Sequence, residues 1–122
     1  MSKAAVSCMV HGWYALLGGL SFLVFPDFVA SVLGFPPPTE VWMRVFGLEV
    51  AVLGFFYITA ARNELVPYFK ASIIGRTVFT FVLILLWVFG VAKWNVILVG
   101  VVDLFGSLWT GMALRSANPA ND

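Results

Sequence analysis

The sequence predicts an all-α fold: four antiparallel transmembrane helices in a bundle, with a short interfacial helix between the first and the second. Three observations carry this. Four apolar stretches of about 20 residues fill most of the chain, the length that crosses a hydrocarbon core of ~30 Å. The 122 residues are 61% hydrophobic and only 11% charged, against about 25% charged in ordinary soluble domains. The links between the stretches are short, as between neighbouring helices of a bundle.

The spans are expected at Val6–Phe25, Val41–Ala61, Ala71–Gly90 and Asn95–Leu114, in one integral membrane domain covering residues 1–122. Lys3 ahead of the first apolar run suggests a signal sequence. No small-x-small cleavage site follows Phe25, where Pro26-Asp27-Phe28 stands, so the first span is expected to be retained. Cys8 lacks the preceding apolar region of a lipoprotein signal. In the first link, Asp27 to Gly34 has an acidic start, an apolar body and a glycine stop, which predicts a short helix lying at the interface. Pro36-Pro37-Pro38 forces an extended turn, and Thr39 is placed to cap the second span. Residues 62–70 form a polar link in which Pro67 suits a first helical turn. The link Val91–Trp94 makes spans three and four a hairpin, and Ser116–Asp122 is expected as a polar tail.

Composition excludes several classes. A net charge of +1 with no Lys/Arg cluster argues against nucleic acid as a partner. One cysteine forbids an intrachain disulfide. Nucleophile motifs and glycine-rich phosphate loops are absent, so the reading is non-enzymatic. Lys3, Arg62, Lys70 and Arg115 fall on one side and Lys93 on the other, which predicts that both termini are cytoplasmic in a bacterial inner membrane. Trp42, Trp87 and Trp94 near span ends fit an interfacial aromatic belt.

Membrane helices associate through close backbone approach and polar contacts, because lipid is as apolar as leucine. Each span offers small residues four apart: Ala15/Gly19, Gly47/Ala51 with Gly54 beyond, Ala71/Gly75 and Ser107/Gly111. This predicts a tight bundle, a homo-oligomer or attachment to a larger membrane complex.

Ionisable groups inside spans are costly and are functional hypotheses by default. Helical spacing puts Asp103 on one face with Val96, Gly100, Ser107 and Thr110, Arg76 with Ser72 and Thr80, and His11 with Ser7, Ala15 and Gly18. Glu49 instead shares a face with Trp42, Val45, Leu53 and Phe56, opposite the glycine ridge, and must meet a groove, a partner or a bound ligand, or else be protonated. By helical rise, Glu49 and Asp103 lie at one depth, about 12 Å below the outer edge, with Arg44 nearer that edge. The expected site is therefore an intramembrane cluster of Arg44 with Asp103, Glu49 or both. His11 and Arg76 are expected in the inner half, with Arg76 reaching to the headgroups.

Two acids at one depth suit a proton-linked carrier, whereas an acid neutralised by Arg44 is structural glue. His11 and Cys8 share a helix face but lack the further ligands that zinc needs, so no metal site is expected. No cofactor is expected; the 12 Phe and five Trp are enough to line a pocket for lipid or another hydrophobic ligand, and equally to fill helix gaps.

Trp42-Met43-Arg44-Val45-Phe46-Gly47-Leu48-Glu49, Leu53-Gly54-Phe55-Phe56-Tyr57, Ala60-Ala61-Arg62-Asn63-Glu64, Gly75-Arg76 and Val102-Asp103-Leu104-Phe105-Gly106 resemble small bacterial four-span membrane proteins of no assigned activity. More distantly the chain resembles the DoxX-like group, with four spans and an acid early in the second. That resemblance implies architecture, and roles that are diverse and partly redox-associated. The small multidrug resistance transporters are similar in size, but their key acid lies in the first span, which here holds only His11.

The leading expectation is an accessory or scaffold subunit acting by helix–helix recognition. The alternatives are a proton-linked carrier or binder of a small hydrophobic or cationic molecule using Glu49 and Asp103, and a quinone-, haem- or lipid-linked redox protein.

Overall fold

A computed structural model of the chain describes residues 1–116, so most of the expected polar tail lies outside the described residues. Five α-helices follow in order: α1 Lys3–Val24, α2 Pro26–Leu33, α3 Trp42–Arg62, α4 Val66–Val88 and, after a 3₁₀ turn at Trp94–Val96, α5 Ile97–Ser116. No strand occurs among the described residues. The long helices α1, α3 and α4, and α5 with its 3₁₀ turn, are each long and apolar enough to cross a bilayer. The protein is an all-α membrane protein of four such helices, with α2 between the first two.

Local chemistry sets the ends. Ser2 Oγ accepts from Ala5 N–H and caps α1. Pro26 opens α2 where its missing N–H costs nothing, and Gly34, at φ +80°, closes it in the left-handed conformation that glycine adopts freely. Asn95 then reaches across: its Nδ2 donates to the carbonyls of Leu33 and Gly34, fastening the end of α2 to the start of the last span. The expected outcome for Asn95→Ala is a loss of about 1 kcal/mol of stability and faster amide exchange confined to α2.

At the opposite end, Ser2 N–H and Oγ–H donate to Glu64 Oε1 and Oε2 at 2.6 and 2.7 Å, tying the N-terminus to the α3–α4 link. The Ser2 hydroxyl, then its backbone N–H, hold the Glu64 carboxyl below the usual carboxylate range. A lowered folded pKa stabilises the fold above the ordinary Glu value of about 4.3, and that stabilisation is lost as pH falls through the folded value. Thermal melts should therefore fall less steeply with acid in Glu64→Gln than in the parent.

The four spans are not equally engaged. α3 lies antiparallel along α1 over its whole length, α4 along α5, and α1 bridges to α5. The α1–α3 contact is made by bare backbone. A Cβ on Gly19 would collide with Ala51 N and Gly47 O, one on Gly47 with Gly19 O, and one on Gly54 with Leu16 N and Gly12 O. Ala15/Gly19 and Gly47/Ala51/Gly54 are thus consumed inside the chain, and Gly12 belongs to the same seam. Ala71/Gly75 is different: a Cβ on Gly75 meets nothing within 4 Å, and both residues line an internal cavity. Ser107 is buried, while a Cβ on Gly111 would make only an ordinary contact, with Ile73 Cδ1 at 3.9 Å. Thr80 Oγ1 donates to Gly100 O and sets the α4–α5 approach.

The apolar core sits at the end carrying the termini, where Ala4, Ala5, Cys8, Ala60, Ala61, Phe69 and Ala113 are buried together. Above it, α3 and α4 meet little beyond Tyr57 against Tyr68, whose rings are 5.4 Å apart. A gap follows, and the middle of the bundle is polar.

Candidate functional site

Arg76 occupies the centre. Helix α4 begins at Val66, earlier than the expected Ala71, which carries Arg76 towards the middle of a 23-residue helix. It does not reach the headgroups; it is 4% exposed and points inward. Its Nε donates to Ser72 O at 3.3 Å, and its Nη2 donates to Ser72 Oγ and Thr110 Oγ1, each at 3.1 Å. Its guanidinium carbon lies 5.4 Å from the centroid of the Tyr57 ring, within cation–π range. An arginine at mid-span costs at least about 2.5–3.5 kcal/mol on insertion scales, and these contacts offset part of that. Its Nη1 is buried and has no hydrogen-bond partner.

His11 and Asp103 stand beside it. His11 Nε2 lies 3.5 Å from Asp103 Oδ1, the one side-chain nitrogen of Lys, Arg or His within 4.0 Å of an acidic oxygen among the described residues. The His11 ring meets Tyr57 edge-on at 4.8 Å. The register between α1 and α5 brings this about: Ser7 Oγ pairs with Thr110 Oγ1 at 2.8 Å, and His11 falls opposite Gly106. Asp103 is three residues further, about 4.5 Å along the axis, within reach of the imidazole. Gly106 makes the room, since a Cβ there would stand 2.9 Å from Arg76 Nη1 and 3.3 Å from His11 Nδ1.

The expected cluster of Arg44 with Asp103 and Glu49 does not form. Arg44 is exposed, and its Nη1 donates to Leu23 O. That carbonyl belongs to the last turn of α1, where helix carbonyls lack intrahelical partners and attract cations. Arg44 is therefore a C-terminal cap for α1, and Asp103 pairs instead with His11. Glu49 is exposed at the cavity wall, with Val50 and Leu53 of the same helix face. The inner-half placement of His11 and Arg76 also changes. Both helices start earlier than their apolar runs suggest, so these two residues share the middle of the bundle with Asp103.

These groups form one end of a cavity of about 520 Å³, within the ~300–1,000 Å³ typical of small-molecule sites. Tyr14, Tyr57 and Tyr68 line its wall near the polar cluster, and Phe46, Phe79 and Val99 continue it towards the α2 end. Because α3 and α4 stand apart, the cavity is reached from the side, through the gap between them. Sequence reasoning placed Thr110 on the face of Asp103 but missed Tyr57 and Gly106 as parts of this site, although Gly106 follows Asp103 at helical spacing on α5. No group of three or more His, Cys, Asp or Glu side chains is placed to hold a metal ion among the described residues.

Fold and site together define a four-span membrane protein with a polar-ended cavity inside its bundle. Comparison with known protein families, with curated proteins and with solved structures yields no match.

Proposed function

We propose that this protein binds or carries, within the bilayer, a small hydrophobic molecule whose polar end presents a hydrogen-bond-accepting oxygen. One observation carries the reading: Arg76 lines an otherwise largely apolar cavity, and its Nη1, buried on the Gly106 side, lacks an acceptor. An unmade hydrogen bond at a buried group costs about 1–3 kcal/mol, and more at a charged one, so an acceptor that enters from the gap and draws the guanidinium towards it gains what the protein leaves unmade. The His11–Asp103 pair adds an acceptor and a titratable neighbour, which suits a carrier that exchanges a proton with its cargo. No reaction is proposed, and quinone or lipid carbonyl compounds fall within the class of ligand.

The accessory or scaffold role, as an oligomer or in a larger membrane complex, has less to rest on. Three of the four ridges that suggested it are spent between α1 and α3 or face the cavity, and Ser107/Gly111 alone is left; a stable oligomer in mild detergent would restore it. The Lys/Arg bias supports cytoplasmic termini, and the resemblance to bacterial four-span and DoxX-like proteins supports an inner-membrane setting.

The test is native mass spectrometry of protein released from mild detergent. The parent should carry a hydrophobic adduct of reproducible mass. Gly75→Phe, whose ring enters open space, should lose the adduct while keeping its stability within about 1 kcal/mol. Adduct-free spectra from both proteins contradict the reading.

A further inference from the structure

A second cavity of about 320 Å³ lies beneath α2, lined by Phe25, Phe28, Val29, Val32 and Leu98 among others. It shares Tyr14, Phe22 and Val99 with the first cavity, so these three side chains stand between the two compartments, and a ligand that occupied both would pass them as a neck. Apart from Tyr14, its lining offers one polar side chain, Ser21, whose hydroxyl already donates to Leu17 O. Polarity therefore falls in one direction: Arg76, His11 and Asp103 at one end, aromatic and branched side chains at the neck, hydrocarbon beyond. Asn95 pins the end of α2 above the far compartment through Leu33 O and Gly34 O.

We propose that the occupant is a single-chain lipid with a carbonyl head group, seated on Arg76, whose tail threads the Tyr14–Phe22–Val99 neck and ends beneath α2. This rests on the binding reading above and adds the shape and class of the ligand. The length agrees. From the level of His11 to that of Phe25 is about 21 Å of helix, well beyond the roughly 15 Å depth of one fluid acyl layer, so a long chain must lie fully extended to span it. The charges agree as well. Arg76 keeps the two N–H donors of Nη1 unpaired, while Asp103 and Glu49 line the same cavity and disfavour a phosphate. A neutral carbonyl accepts from Arg76 without meeting that repulsion, whether it belongs to an ester or to a protonated acid.

The experiment uses the full chain in lipid nanodiscs with two photoreactive probes, hexadecanoic acid and octanoic acid, each carrying a diazirine at the tail end. Only labelling removed by excess unlabelled hexadecanoic acid is counted, and the labelled peptides are mapped. The long probe should label α2 or Leu98, and the short probe should label the first compartment near Phe46 and Phe79. Val29→Trp should remove the long probe's labelling of α2 by tenfold or more and leave the short probe's pattern unchanged. Identical patterns from the two probes, or α2 labelling that survives Val29→Trp, overturn the threaded tail while leaving the binding reading in place. Absence of competed labelling by either probe overturns both. Should Val29→Trp fail to fold, the comparison of the two probes on the parent protein decides alone.

Discussion

Gly19→Val is expected to force α1 off α3 and to cost about 3 kcal/mol or more, the upper range for overpacking a tight contact. The added atoms have nowhere to go. A Cβ at this position already meets Ala51 N and Gly47 O, and backbone cannot rotate aside as a side chain can. The melting temperature in detergent should fall by on the order of 10 °C. The adjacent Gly18→Val is the control. A Cβ there meets nothing within 4 Å, so its stability should stay within about 0.5 kcal/mol of the parent. Equal losses in both variants would mean that helix propensity, rather than close backbone approach, governs this seam.

Arg76→Gln is expected to weaken ligand binding by roughly 10–150-fold, the equivalent of the ~1.5–3 kcal/mol carried by a hydrogen bond to a charged group. The effect should appear in titrations of hexadecanoic acid against the nanodisc-embedded protein. Arg44→Gln provides the comparison: that side chain caps α1 through Leu23 O and does not line the cavity, so affinity should be unchanged. A loss with Arg44→Gln equal to that with Arg76→Gln would return the site to the outer cluster that the sequence suggests.

The contrast between those two arginines shows what the sequence could and could not tell. Hydropathy and link length were sufficient for the four spans and for α2, because chain-length limits in a bilayer act on composition alone. The Gly47/Ala51/Gly54 ridge was likewise visible, since small residues at helical spacing have few other uses in a span. Depth was misread because each span was taken to begin where its apolar run begins. α1 starts at Lys3 and α4 at Val66, so the added first turns place His11 and Arg76 further along their helices. Rotation and register were beyond reach for a related reason. Whether Asp103 meets Arg44 or His11 depends on a shift of a few residues between α1 and α5, which Ser7 against Thr110 and the space at Gly106 decide. Hydropathy does not encode such a shift. The cavity was hidden as well: Ala71/Gly75 has the spacing of a packing motif and instead leaves a hollow.

The most direct measurement is an experimental structure of the protein in lipid nanodiscs, prepared without added ligand. Elongated density should fill the cavity, with one end within hydrogen-bonding distance of the Arg76 guanidinium and the remainder running past Phe22 towards α2. An Arg76 guanidinium paired directly with the Asp103 carboxylate, in a bundle closed between α3 and α4, would contradict it.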